Sequence, residues 1–406
     1  MKIRHIVLRV LHVGLAAVTA GTLAAATGWN GGADLTFETA NGLSPGLARR
    51  SALHGAALGY ASWQSAADAP ANQFYASALA LAGQGPTERF LGDFLAASNI
   101  EGHNSVRLYA WWFEANRGHW SLRAGALLAD EEFTGTGAGG TLINSVFGWP
   151  AFISANTVNT GPAFFVAAPG ARLQYAWNES VAWRLGIYDG DTFDSPAGDP
   201  HATRHGLHYR VGGDQGWFVI GELTFAPAGG PARFKAGAWL HTATFPDVRD
   251  DDSGRVFAIS GADPRQHSSN HGAYGVVETT LAGKVGEAGN VEGFFRAGFS
   301  PADRNTLGWV IDTGLSGTGL IPRRPNDVTT LGFAHAKFSR RYADGMLASA
   351  PADPAPDYEQ IIELSHAVVL SEHFQLQPDL QLIRHPGGST AQRDAVIFLL
   401  RFKASF

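Results

Sequence analysis

Along most of this chain, apolar and polar residues alternate one by one. In FQLQPDLQL, Phe374, Leu376, Pro378, Leu380 and Leu382 share one parity, and Gln375, Gln377, Asp379 and Gln381 the other. WFVIGELTF sets Trp217, Val219, Leu223 and Phe225 against Glu222 and Thr224. ARFKAGAWLHTA sets Phe234, Ala236, Ala238 and Leu240 against Arg233, Lys235, Trp239 and His241. SVRLYAWWFEA sets Tyr109, Trp111 and Phe113 against Trp112 and Glu114. A period of two belongs to extended strands, whose side chains point to opposite faces in turn. The closing strand has the same design: Val396, Phe398, Leu400, Phe402 and Phe406 oppose Arg401, Lys403 and Ser405.

Strands of this kind fit a soluble sandwich or a membrane barrel. Sandwich strands average about 5–6 residues. Those here run to about 8–13, and a tilted strand needs 9–11 to cross a bilayer. The connections also sort by parity. Residues 371–373, 283–290, 227–231, 178–180 and 116–119 are short. Their alternates 386–392, 339–357, 244–270, 191–205 and 130–169 are mostly long, with 317–327 and 301–305 fitting less well. Bacterial barrels have short periplasmic turns and long outer loops, whereas a sandwich has no cause to sort them.

Fifteen strands are legible: 53–63, 72–82, 105–115, 120–129, 170–177, 181–190, 206–226, 232–243, 271–282, 291–300, 306–316, 328–338, 358–370, 374–385 and 393–405. Closure of a bacterial barrel takes an even number. The sixteenth is expected within 83–104, around ERFLGDFLAAS. The expected fold is therefore all-β: a transmembrane antiparallel barrel of about 16 strands, wide enough for an aqueous lumen.

Composition agrees. Only 16% of residues are charged, with 50 Gly, 25 Phe and 11 Trp among the 406. The formal charge of −6 and the lack of a long basic run argue against nucleic acid as a partner. Absence of cysteine excludes disulfides, thiol catalysis and zinc–thiolate sites. In residues 1–26, Lys2, Arg4 and Arg9 precede an apolar run, and Ala24 and Ala26 form a small-x-small pattern. This reads as a secretory signal peptide, with an N-terminal helical anchor as the alternative. Residues 27–406 are then the barrel domain.

DYEQIIELSHAVVLSEHFQLQPDLQLIRHPGG (357–388) and NSVFGWPAFISANTVNTGPAFFVAAPGARLQY (144–175) resemble the carbohydrate-selective outer-membrane porins of the OprB type. FKAGAWLHTATF, RAGFSPADRN, GLIPRRPNDV and RLYAWWFEA with LRAGALLADEEF extend the resemblance to roughly two thirds of the chain. Arg323 departs from it, standing where the family usually has glycine. The resemblance implies passive diffusion of mono- and oligosaccharides through a trimeric channel in Gram-negative outer-membrane lipid, with no cofactor. The terminal Phe406 resembles the recognition signal of barrel assembly.

A channel for neutral sugars needs a constriction, hydrogen-bonding groups and aromatic surfaces. Residues 133–171 contain no Asp, Glu, Lys or Arg. They form either an infolded constriction loop, with Phe147 and Trp149 as its aromatic contributors, or a cover over the mouth. Parity turns Arg123, Arg172, Arg184, Lys235 and Arg296 toward the lumen, with Glu114, Glu222, Glu278, Glu363 and Asp379 of opposite sign. These groups are either solute contacts or pairs that keep the barrel open. Inward Trp112 and Trp239 are either sugar contacts or packing for a loop.

Other signals fail on context. GLSPG (42–46) lacks the strand–helix setting of a nucleophile elbow. GTGAGG (135–140) lacks the Lys-Ser/Thr of a phosphate loop. His201, His205 and His208, and Asp250 to Asp252, have no helix or calcium-loop spacing behind them. The competing functions are a general pore for small hydrophilic solutes, a barrel enzyme whose Ser-His-acid set cannot be assembled, and a secreted sugar-binding β-protein.

Overall fold

The computed structural model describes residues 28–65, 72–195, 197–212 and 216–406. The leader read over 1–26 lies outside them. Eighteen strands are formed: β1 (Trp29–Gly42), β2 (Ser51–Gln64), β3 (Gln73–Gln84), β4 (Ser105–Arg117), β5 (Trp120–Leu127), β6 (Ala168–Ala176), β7 (Val181–Asp189), β8 (Trp217–Phe225), β9 (Ala232–His241), β10 (Phe245–Asp251), β11 (Pro264–His267), β12 (Asn270–Ala282), β13 (Val291–Phe299), β14 (Leu307–Thr318), β15 (Val328–Phe338), β16 (Tyr358–Val369), β17 (Phe374–Arg384) and β18 (Ala395–Ser405). All but β10 and β11 close into one antiparallel barrel of sixteen, each pairing with the next and β18 returning to β1. β10 and β11 make a small separate sheet in the β9–β12 connection.

The sixteenth strand is β1, not the 83–104 segment. That segment bends inward instead, through a single helical turn over Thr87–Leu91, and buries Leu91 and Leu95. The strand expected over 206–226 is confined to β8. Residues 205–209 instead cover the edge of β4, where β5 has already ended: Leu108 N–H donates to His205 O at 3.0 Å and Trp111 Nε1 to Tyr209 Oη at 3.3 Å.

The expected parity of β4 holds only in its second half. A bulge places Tyr109 and Ala110 opposite Ser77. Ser77 Oγ donates to Ala110 O and accepts from Ala110 N–H, at 3.1 and 3.2 Å, which fixes the kink. Tyr109 therefore points inward and is buried, while Trp111 and Phe113 face out and are exposed. One extra residue in a strand inverts every assignment on one side of it.

Outward faces carry exposed Leu, Ile, Val and Phe. Trp29, Trp120, Phe225 and Phe374 lie toward one rim, and Trp217, Phe299 and Trp309 toward the other, the arrangement of two aromatic girdles. The turns 118–119, 177–180 and 370–373 share the first rim with the C-terminus. Connections 85–104, 128–167, 190–216 and 339–357, the last holding a helix over Arg340–Ser349, rise from the other. By the loop-length rule the first rim is periplasmic.

The seam between first and last strands is closed by more than the ladder. Ala33 N–H donates to Phe406 O at 3.0 Å, and Phe406 N–H to Ala33 O at 2.9 Å. The Phe406 ring stacks on His373 at 5.7 Å and meets Phe374 edge-on at 6.0 Å. Inside, Arg401 faces Glu38 across the seam and donates Nε to it. Glu38 also accepts from Ser98 Oγ at 2.6 Å and lies 3.1 Å from His54 Nε2. Glu38 is completely buried and Arg401 nearly so. Replacing Arg401 by alanine leaves a buried carboxylate without its cation, at a cost of about 3–5 kcal/mol. The barrel should then lose its resistance to SDS at a lower temperature and unfold at lower urea. The double variant Glu38→Gln/Arg401→Met should recover most of the loss. An unchanged midpoint for Arg401→Ala would show that the pair does not hold the seam.

Candidate functional site: a lumen narrowed by two infolded loops

The β3–β4 connection (85–104) and the β5–β6 connection (128–167) both fold into the lumen. They are joined to each other: Asn99 N–H donates to Ile143 O at 2.8 Å, and Ser145 N–H to Ala96 O at 3.0 Å. Such loops bury backbone polar groups that need partners. The barrel wall supplies them. Thr134 N–H donates to Glu222 at 2.9 Å, Gly137 N–H to Glu278 at 2.8 Å, and Ile143 and Asn144 N–H to the two oxygens of Glu363 at 2.5 and 3.0 Å. For the first loop, Phe94 and Leu95 N–H both reach Glu359 at 2.8 Å.

Cations do the same for carbonyls. Arg296 is fully buried, pairs with Asp312 at 3.0 Å, and donates to Thr134 O, Gly148 O and Val146 O at 3.1, 3.0 and 2.7 Å. Arg184 donates to Glu132 O at 2.9 Å, and Lys235 to Gly135 O at 2.5 Å while pairing with Glu278 at 3.2 Å. Asp379 is buried and accepts from Gln381, which also donates to Ala97 O at 2.9 Å.

At the root of the second loop, four charges close a ring. Arg123 meets Glu114 at 2.7 Å and Glu132 at 2.5 Å; Arg172 meets the same two at 3.1 Å each. Ser121 Oγ donates to Glu114 as well. Both guanidinium groups are thus neutralised by one carboxylate from the wall and one from the loop.

The aromatic residues expected to touch solute are placed differently from one another. Phe147 and Trp149 belong to the second loop and are buried in its packing, Trp149 edge-on to Phe218 and Phe147 edge-on to Phe294. Trp239 points inward but is only 3% exposed, packed against Phe218. Trp112 is half-buried, with Tyr75 on one face at 5.3 Å and the Arg123 guanidinium over its ring at 3.8 Å. The ring of Phe152, on the single-turn helix α1 (Ala151–Ser154), fills the space that a side chain at Gly298 would need. A Cβ added to Gly298 would sit 2.5 Å from that ring, so only glycine leaves room for the loop there.

Sequence reasoning missed Glu132, Glu359, Glu38, Asp312 and Gln381. Glu38 lay in the unrecognised strand. Glu132 lies one residue before the charge-free stretch. The others sit on recognised strands at inward parity, a signal that could have found them.

This closed sixteen-stranded barrel, apolar outside and narrowed inside by its own loops, is a porin-type channel. The description "Carbohydrate-selective porin, OprB family" matches residues 60–406, and the chain belongs to that family. Porin B of Pseudomonas aeruginosa is 26% identical over 223 residues, which are 50% of this chain and 48% of that one. The chain thus spans about half the length of the curated relative it matches. Among solved structures, the high-pH structure of Pseudomonas putida OprB has a TM-score of 0.78 at 19% identity, over 93% of this chain and 94% of that one. The outer-membrane channel DcaP of Acinetobacter baumannii gives 0.54 at 11%, over 93% and 97%. Family and fold indicate a channel rather than an enzyme, located in the outer membrane of a Gram-negative bacterium.

The first infolded loop has an acidic anchor. Burial lifts the Asp93 carboxyl to about 6. Burial, then the charge of Asp93, lifts Glu101 to about 8. Glu359 of β16 faces Asp93 as a third acid. In a released loop both groups would ionise near their ordinary 3.8 and 4.5. The raised values therefore weaken docking as pH climbs from about 4 to 8, and docking is strongest below that window. Hydrogen exchange of 85–104, corrected for intrinsic rates, should show less protection at pH 8.5 than at pH 5. Asp93→Asn/Glu101→Gln should shrink the difference, leaving only what Glu359 contributes; equal protection in the natural chain would contradict this assignment.

Proposed function

We propose that the chain is a water-filled pore for the passive diffusion of carbohydrates, mono- and oligosaccharides, across the outer membrane. The observation that carries this is the neutralised constriction. The second loop carries charge only at its root, Asp130, Glu131 and Glu132, and none from 133 to 167, and the wall cations Arg123, Arg172, Lys235 and Arg296 that it meets each pair with a carboxylate. A pore for ions profits from an unbalanced field; one for neutral polyols does not. Membership in the family supports the same substrate class.

Within this reading, Trp112, Glu114, Arg123, Arg172, Arg184, Lys235 and Glu278 line the narrow part. Arg123, Lys235 and Glu278 keep partial exposure for solute hydroxyls. Phe147, Trp149, Glu222, Trp239, Arg296, Glu363 and Asp379 act on the solute through the position of the loops. Phe406 serves as the assembly signal. Lipid meets the outward apolar faces. A homotrimer would meet through the small outward residues of β2 and β3 (Ala57, Ala61, Ala78, Ala82) and is tested by the mass of the detergent-solubilised particle.

In planar bilayers the protein should give discrete conductance steps that glucose or maltose lowers reversibly. Steps indifferent to every sugar would make it a general pore for small hydrophilic solutes, and the absence of steps would remove the channel.

A further inference from the structure

Toward the periplasmic rim, the inward faces of β2, β3 and β4 carry three aromatic rings. There Tyr60, Tyr75 and Trp112 stand on three adjacent strands, all inward and all half-buried. Tyr60 and Tyr75 lie 6.0 Å apart with their planes within 21°; Tyr75 and Trp112 lie 5.3 Å apart within 17°. Arg123 covers the far face of Trp112. At the other end the row rests on Gly32, where an added Cβ would sit 2.5 Å from Tyr60 Oη. Gly32, the second glycine of WNGG, thus makes the seat on which the first ring lies.

We infer that Tyr60, Tyr75 and Trp112 form a binding track for neutral polyhydroxylated solutes, which carries them from the constriction at Arg123 toward the periplasmic mouth. This deepens the sugar-pore reading and rests on it. With their faces turned to one another, the half-buried rings present edges to the lumen, and the Tyr60 hydroxyl lies over Gly32. A hexose shows the same mixture, C–H groups interrupted by hydroxyls. The two phenols can each donate and accept, so a sugar hydroxyl exchanges partners stepwise as it moves. Each contact is a single exchangeable hydrogen bond, weak enough for release. A purely structural row has no need of phenols in a wet lumen, since phenylalanine would stack equally well.

The test is sugar block of single-channel current in Tyr60→Ala/Tyr75→Ala and in Tyr60→Phe/Tyr75→Phe, using glucose. The alanine pair should raise the half-blocking concentration about tenfold or more without lowering sugar-free conductance, and the phenylalanine pair about threefold or more. The phenylalanine pair keeps the stack, so it stands as the test if the alanine pair fails to form an SDS-resistant barrel. Block of the natural channel with unchanged half-blocking concentration in the folded variants overturns the track while leaving the sugar pore standing. No block of the natural channel overturns both.

Discussion

A polypeptide loop drawn into the middle of a barrel gives up much of its water, and each backbone N–H and C=O it buries must find another partner. In this protein the barrel wall is built to meet that demand. Carboxylates of β8, β12 and β16 accept from loop amides, and cations of β7, β9 and β13 donate to loop carbonyls. The width of the lumen follows from this match. The charged rows inside the barrel are thus first a scaffold, and only the members left partly exposed are free to meet a solute.

The arrangement also accounts for the sign balance. A buried guanidinium without a carboxylate is costly, and a pair with additional hydrogen bonds is tolerated. Arg296 has Asp312 and three carbonyls; Arg123 and Arg172 share Glu114 and Glu132. The loop brings its charge only at its acidic root, where Glu132 completes the balance of Arg123 and Arg172, and farther in the wall cations pair with wall carboxylates. The result is a constriction lined by dipoles and matched ions, suited to solutes that bring hydroxyls and no charge.

The architecture was largely legible because a barrel writes its period directly into the chain. β1 escaped because its run ADLTFETANG has only Leu35 and Phe37 as large outward residues, while the leucines and phenylalanines of ERFLGDFLAAS drew the assignment to a segment that packs inward, with Phe94 against Phe338 at 5.1 Å. Tyr109 was misplaced because the bulge at Ser77 leaves no mark in the local alternation. The loop anchors were hidden for another reason. Glu363 meets Ile143 and Glu359 meets Phe94 across more than two hundred residues of chain, and no local pattern encodes such a pairing. Parity gave their direction, not their partners.

The position of the second infolded loop against the wall is the centre of this account, and the cysteine-free chain allows a clean test. Thr141 of the loop and Thr330 of β15 bring their hydroxyl oxygens within 2.6 Å. In Thr141→Cys/Thr330→Cys, mild oxidation should form the disulfide nearly completely in the folded, membrane-inserted protein and leave the open-channel conductance as it was. A pair that stays reduced, or a conductance that changes sharply once the bond forms, would place the loop elsewhere and contradict the account.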